Sequence, residues 1–251
     1  MDTLRNNLRE INSLNQRGGR MLSIVDLIDD GTIDAPTAGY LLSCVSGGAS
    51  FLTAAGPGGV GKTTLMACLL SFLPPGERIR TVTDPFRLPD PKQPTCYLCH
   101  EIGSGHWYGY LWGDGAAEFL ALQRQGRIAG SLHAESVEEL RQQLLGPSVG
   151  ARERDLAGVE LLLLMVREGR KRRVSAIYET AGSQHAEFTQ TVRWDRGPDE
   201  LAFIQPPGAS EVATAGTIGL QEATTCIEGL VAGGTRMLED VIREVADLYP
   251  R

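Results

Sequence analysis

The sequence predicts an α/β fold with a mainly parallel central sheet, a small antiparallel hairpin region and closing helices. Between residues 49 and 158, short apolar segments alternate with segments of helical periodicity, and this alternation is typical of a parallel sheet. A glycine-rich turn lies between the first apolar segment and the first helical segment. From residue 159, apolar runs joined by short turns replace the alternation and indicate antiparallel strands.

Residues 1–48 are predicted to form a helical lead-in. Apolar residues recur at helical spacing over residues 2–16, namely Leu4, Leu8, Ile11 and Leu14. A second short helix is expected over residues 23–28. Asp34-Ala35-Pro36 has the pattern of an N-cap followed by an early proline, which predicts a third helix over residues 37–45.

Residues 49–158 are predicted to form the core of the fold. Its strands are expected at residues 50–54, 78–82, 96–99 and 128–132, and its helices at residues 62–72, 116–125 and 137–145. Because each strand is separated from the next by a helix or a long connection, these strands are expected to pair in parallel.

Residues 159–251 are predicted to form antiparallel strands and helices that pack on the core. Strands are expected at residues 159–167, 173–179, 188–194 and 200–203, and helices at residues 220–231 and 236–249. Glu168-Gly169-Arg170 has the composition of a hairpin turn between the first two of these strands.

Composition places the chain among ordinary globular proteins. It has 251 residues, a hydrophobic fraction of 42% and a formal net charge of −7, which gives no general attraction to nucleic acid. No apolar stretch approaches the length of a membrane span, and the first residues lack an apolar signal region. The five cysteines have no regular spacing. A cytoplasmic protein with reduced thiols is expected.

The strongest motif is a phosphate-binding loop. The run from Gly56 to Thr63 fits the Walker A pattern at every fixed position, between an apolar strand and a helix. Glycines let backbone N–H groups turn toward a phosphate, and the helix N-terminus adds its dipole. The sequence therefore predicts that a nucleoside triphosphate is held by Gly56, Gly58, Gly59, Val60, Gly61, Lys62, Thr63 and Thr64.

Three further motifs follow this loop. Thr83-Asp84-Pro85 lies after the second predicted strand, and His100-Glu101 ends the third. Leu132-His133-Ala134-Glu135-Ser136 lies between the fourth strand and the helix after it. In this order and spacing, the motifs resemble the acidic box, Walker B strand and histidine box of the type II and type IV secretion ATPases. The resemblance covers about residues 20–250 and implies a RecA-like core.

The resemblance also implies a role for each motif. Lys62 and Thr63 would hold ATP and Mg²⁺, and Glu101 would position the magnesium or the attacking water. Asp84 would support the same site, and His133 would contact the γ-phosphate. Members of the family work as cytoplasmic hexameric rings with secretion machinery at a membrane. Self-association, a partner in such machinery and a location at the inner face of the membrane are therefore expected.

The sequence departs from the family pattern at several points. Thr83 stands where the family has a glutamate, and a hydroxyl cannot act as a carboxylate base at neutral pH. No arginine follows Glu101 closely, and only residues 1–48 stand in place of the family's N-terminal domain. In the family, that domain supplies arginines to the phosphates of a neighbouring subunit. The arginines that could supply such a charge here are Arg17, Arg20, Arg78 and Arg80.

Two hypotheses follow from the family motifs and their departures. The first is an ATP-hydrolysing motor subunit of the secretion ATPase superfamily. The second is a nucleotide-dependent regulatory or assembly module with little or no hydrolysis. A small-molecule kinase is a third class, but the arginine cluster of a kinase lid is missing from the sequence.

Other patterns have simpler interpretations. The run Cys96-Tyr97-Leu98-Cys99-His100 matches a haem-attachment pattern, but residues three apart on a strand face opposite sides. The basic residues from Arg167 to Arg173 could contact nucleic acid or lipid head groups, but they are more typical of a solvated hairpin turn. The aromatic residues at 107–112 fit either a core segment or a surface that meets another subunit, and the sequence does not separate these two.

Overall fold

Three helices precede the sheet in the computed structural model, which describes residues 3–15, 18–56, 58–180 and 185–250. They are α1 (Thr3–Ser13), α2 (Ile24–Asp29) and α3 (Ala35–Ser46). The Asp34 side chain accepts a hydrogen bond from the Thr37 amide and begins α3, as the N-cap pattern predicts. The Asn6 and Asn7 side chains donate hydrogen bonds to Ile79 and Glu77 carbonyl oxygens, so α1 is attached to the segment that opens the second strand.

The parallel part of the sheet comes from the segment predicted to be the core. Its strands are β1 (Phe51–Ala54), β2 (Arg78–Thr81), β3 (Thr95–Ile102), β4 (Tyr110–Leu111) and β5 (Arg127–Leu132). The parallel order is β2-β3-β5-β1, and β4 pairs with the end of β3. The prediction of a mainly parallel sheet is confirmed. The two-residue strand β4 is too short to show a periodic pattern, and it was not predicted.

The core helices pack on both faces of this sheet. They are α4 (Lys62–Leu70), α5 (Asp114–Ala121), α6 (Val137–Leu145) and α7 (Glu153–Ala157). Ser136 accepts a hydrogen bond from the Glu139 amide and begins α6 at the predicted residue. Helix α7 was not predicted, because five residues are fewer than two turns and show no helical periodicity.

The antiparallel strands continue the same sheet. They are β6 (Leu161–Glu168), β7 (Lys171–Glu179), β8 (Thr189–Asp195) and β9 (Glu200–Phe203). Strand β6 pairs in parallel with β1 on one side and antiparallel with β7 on the other. The predicted hairpin is therefore joined to the parallel strands in one nine-stranded sheet. Eight of its strands follow the order β2-β3-β5-β1-β6-β7-β8-β9, and the ninth, β4, pairs with β3 outside this order.

The chain ends in three helices, α8 (Glu211–Thr214), α9 (Leu220–Gly233) and α10 (Leu238–Ala246). Helix α9 packs against α3, and Tyr249 donates a hydrogen bond to the Phe72 carbonyl oxygen after α4. The closing helices thus cover the same face of the sheet as the N-terminal helices.

Two apolar cores lie on opposite faces of the sheet, and alternate residues of β3 belong to different cores. Cys96 and Leu98 pack in the core with α3 and α4, whereas Tyr97 and Cys99 pack in the core with α5 and α6. The two cysteines therefore face opposite sides of the sheet, as their spacing predicted. Strand β5 separates β1 from β3, and this arrangement fits the expected RecA-like core.

Candidate functional site

The carboxyl ends of three neighbouring strands meet at one edge of the sheet. Strand β1 leads into the phosphate loop, β5 leads to His133, and Glu101 lies near the end of β3. Because parallel strands end on the same side, motifs far apart in sequence converge there. They line a cavity of about 310 Å³.

The phosphate loop has the backbone conformation that its glycines predict. Gly59 and Gly61 have φ angles of 77° and 112°, a region that residues with a Cβ rarely adopt. Gly61 is the N-cap of α4, so the helix begins at Lys62. The predicted loop residues on the cavity wall are Gly58, Gly59, Val60, Gly61, Lys62, Thr63 and Thr64. Gly56 lies at the start of the loop, and Pro57 lies outside the described residues.

Lys62, His133 and Glu101 form a polar cluster in this cavity. The Lys62 Nζ atom lies 3.2 Å from the His133 ring nitrogens and 3.9 Å from Glu101 Oε2. His133 Nε2 lies 3.4 Å from Glu101 Oε1. His133 Nδ1 lies 2.7 Å from the Gly56 carbonyl oxygen, which can only accept a hydrogen bond. The cluster therefore brings the lysine of the loop into contact with residues at the ends of β3 and β5.

The burial of Lys62 disfavours the charged form of its ammonium group. The side chain is only 6% exposed, and burial lowers its pKa, while the charge of Glu101 acts in the opposite direction. An anionic group entering the cavity would compensate this loss of solvation. The Thr53 hydroxyl donates to the Lys62 carbonyl oxygen at 3.2 Å and ties the first turn of α4 to β1.

The structure does not bring Asp84 to this cluster. Asp84 follows β2, which is separated from β1 by β3 and β5. Its carboxylate accepts a hydrogen bond from the Phe86 amide and pairs with Arg87 at 3.6 Å. It is not among the residues that line the cavity, so its predicted supporting role stays a prediction.

The two residues predicted to hold the metal both line the cavity. The Thr63 hydroxyl and the Glu101 carboxylate are oxygen donors of the kind that Mg²⁺ prefers. Within the described residues, no group of three or more histidine, cysteine, aspartate or glutamate side chains could hold a metal ion by itself. The donor set fits a magnesium ion that takes its remaining ligands from phosphate oxygens and water.

Several cavity residues were not predicted from the sequence. They are Leu14, Asn15, Met21, His100, Tyr110 and Arg172. Leu14 directly follows α1 and is the last apolar residue of the spacing predicted over residues 2–16, which indicated only that it is buried. Arg172 belongs to the basic run that was interpreted as a solvated turn. Neither residue lies in a motif, so only the tertiary contacts identify them.

Three of the four arginines considered from the sequence lie in the described residues, and each is paired with a carboxylate or distant from the loop. Arg20 pairs with Asp26 at 2.6 Å. Arg78 and Arg80 belong to β2, on the far side of β3 and β5 from the loop. Arg17 lies outside the described residues.

The aromatic segment after β3 is partly on the surface. Trp107 and Tyr108 are 68% and 59% exposed, and Tyr110 lines the cavity. The Tyr108 ring packs edge-on against His100, with ring centroids 5.4 Å apart. A core role is therefore excluded for the tip of this segment.

None of the described helices is both long and apolar enough to cross a bilayer.

Comparison with solved structures finds similarity to two ATPases. The VirB11 ATPase of the Brucella suis type IV secretion system has 20% sequence identity and a TM-score of 0.37, over 55% of this chain and 50% of that chain. The Legionella pneumophila ATPase DotB has 15% identity and a TM-score of 0.38, over 80% of this chain and 58% of that chain. The chain thus spans 50% and 58% of these two proteins, and the similarity concerns the fold alone. No protein-family model matches the sequence, and no curated protein matches it significantly.

Proposed function

We propose that this chain binds ATP with Mg²⁺ in the cavity at the phosphate loop and hydrolyses it as a motor-type subunit of the type II/IV secretion ATPase superfamily. The observation that carries the proposal is the convergence of Lys62, Glu101 and His133 on one loop of phosphate-binding conformation. A glycine-rich turn without function would not require a buried lysine beside a carboxylate and a histidine.

Binding would use groups that already face the cavity. Backbone N–H groups of the loop and the first turn of α4 donate hydrogen bonds to phosphate oxygens. Lys62 would leave its contacts with His133 and Glu101 and pair with the β- and γ-phosphates. The Thr63 hydroxyl and Glu101 would hold magnesium, which neutralises charge on the phosphate oxygens when it is bound.

Hydrolysis would be direct attack by water on the γ-phosphorus. A bond forms between the water oxygen and the phosphorus, the bond to the β–γ bridging oxygen breaks, and ADP leaves with its electron pair. Glu101 orients the water and accepts its proton, and His133 contacts the γ-phosphate. These roles fit the 3.4 Å separation of the two side chains, since a terminal phosphate beside Lys62 would contact both.

The alternative function is a nucleotide-dependent regulatory or assembly module. Thr83 and the position of Asp84 outside the cavity favour this alternative, because they leave Glu101 as the carboxylate on the described cavity wall. In either case we propose a cytoplasmic protein that self-associates, as a hexamer in the motor case, and contacts a partner of a secretion machinery at the inner face of the membrane.

The first experiment measures binding of Mg²⁺-ATP to the purified protein by calorimetry. Lys62→Ala should abolish binding, because no other described side chain occupies the place of the loop lysine. Lys92→Ala is the matched control, since Lys92 is exposed and lies outside the cavity, and it should bind as the wild type does. A wild-type protein that fails to bind, or that binds as Lys62→Ala does, would refute the proposed function.

Phosphate release separates the two candidate functions. Glu101→Gln should retain ATP binding and reduce turnover by about 100-fold or more, because the amide cannot accept a proton. A wild-type rate no higher than the rate of Glu101→Gln, with binding intact, would favour the regulatory module.

A further inference from the structure

Arg172, on strand β7, lines the cavity at the phosphate loop although it lies far from the loop in the sequence. It lines the cavity together with the loop and also lines an adjoining cavity with Thr64 and Met165. A Cβ atom placed on Gly61 would lie 3.5 Å from Arg172 Cδ. The aliphatic stem of Arg172 therefore passes directly over the residue that caps α4.

The extension of two strands past the end of β1 explains how Arg172 reaches the loop. Strand β6 pairs with β1 only up to the Ala54–Leu164 pair, and β6 then continues to Glu168. Four further residues of extended strand project about 13 Å beyond the end of β1. Strand β7 returns along this projection, with Arg172 opposite Arg167. The hairpin thus forms a side wall for the phosphate loop.

The guanidinium group of Arg172 has no hydrogen-bond or ion-pair partner in the part of the chain that the structure describes. Its neighbours Lys171 and Arg173 both pair with Asp199, at 3.1 Å and 3.0 Å. Since adjacent residues of a strand point to opposite faces, Arg172 points away from Asp199. The Arg172 side chain is nevertheless half-buried. A partly buried cation without a partner is a suitable ligand for an anion.

We propose that Arg172 binds the phosphate chain of the nucleotide held by its own loop. This inference rests on the proposed function and extends it, since it assigns a phosphate-binding arginine within the chain itself. A guanidinium group donates two parallel hydrogen bonds to phosphate oxygens, which gives orientation as well as charge. Arg172 of β7 and Lys62 of α4 would then both hold the phosphate chain in the cavity.

The test measures the affinity of variants for Mg²⁺-ATP and for inorganic tripolyphosphate, which carries no nucleoside. Arg172→Ala and Arg172→Gln should weaken both affinities by a similar factor of about 10 to 100, as expected for a lost hydrogen bond between charged groups. Arg170→Ala is the matched control from the same basic run, because Arg170 is exposed at the hairpin turn and lines neither cavity. Thermal unfolding without nucleotide should be unchanged in all three variants.

The outcomes separate this inference from the proposed function. If the wild type binds ATP in a Lys62-dependent manner and the Arg172 variants bind equally well, only the role of Arg172 is refuted. If the wild type does not bind at all, the proposed function itself fails. Mixing Lys62→Ala chains with Arg172→Ala chains should not restore affinity. Restoration would mean that Arg172 serves a neighbouring copy and would overturn its assignment to its own loop.

Discussion

At the scale of single residues, His100 shows how burial decides the chemistry of a side chain beside the site. It precedes Glu101 on β3 and is only 5% exposed. Its Nε2 atom lies 3.3 Å from the Thr81 hydroxyl and 3.5 Å from the Ser13 hydroxyl. Burial lowers the pKa of His100 to about 4, and the nearby Glu10 carboxylate opposes this only in part. His100 therefore stays neutral in the folded protein near pH 7.

This shift predicts a dependence of stability on pH. An unfolded histidine has a pKa of about 6.5, so the unfolded chain binds a proton before the folded chain does as the pH falls. The free energy of unfolding therefore decreases as the pH falls from about 6.5 toward 4. This loss from His100 is absent above about pH 6.5 and reaches about 3 kcal/mol at most. Urea unfolding should show a shallower loss of stability for His100→Asn than for the wild type in this range. His106→Asn, at an exposed position, should retain the wild-type slope.

At the scale of elements, the packing of α3 against α9 depends on one close approach. A Cβ atom on Gly39 would lie 2.5 Å from the Thr224 hydroxyl oxygen and 2.7 Å from Thr224 Cα. Nearby, the single hydrogen of the Ser43 hydroxyl is shared between the Ala213 and Ile218 carbonyl oxygens. The C-terminal helices are therefore held against α3 both by close contact and by buried hydrogen bonds.

Gly39→Ala should destabilise the protein by about 1–3 kcal/mol, because the added methyl group would push the backbone of α9 outward. Gly229→Ala provides a control within α9, since a Cβ there would meet no atom within 4 Å. That control should be neutral or stabilising by roughly 0.5–1 kcal/mol, as alanine favours the helix over glycine. Equal free energies of unfolding for the two variants would contradict the role given to this contact.

At the scale of the whole molecule, one apolar core joins the two ends of the chain. It includes Ile11 of α1, Phe51 of β1 and Tyr249 after α10. The buried pair of Arg127 and Glu77, with atoms 2.7 Å apart, adds a polar link between β5 and the start of β2. Arg127 also donates to the Val45 carbonyl oxygen at 2.6 Å, which connects the sheet to α3.

We therefore expect the chain to unfold as one cooperative unit. Hydrogen exchange followed by mass spectrometry should give the same upper limit of protection for core amides in residues 1–48, 49–158 and 159–251. The far-UV circular dichroism transition in urea should coincide with the loss of that protection. Separate limits for the three segments would mean that they unfold independently, contrary to the shared core.

The sequence alone determined the parts of this protein that depend on neighbouring residues. The phosphate loop, the helix after it and the ends of β3 and β5 follow from local periodicity and backbone preference. The strand-end position of Glu101 and the family motif that includes His133 therefore predicted that both lie at the site of Lys62. The length of each strand and the choice of its partners depend on contacts between residues far apart in the sequence, so only the three-dimensional structure shows them. The tertiary structure placed Asp84 after β2, which β3 and β5 separate from β1, and it brought Arg172 to the loop, because β6 and β7 continue past the end of β1.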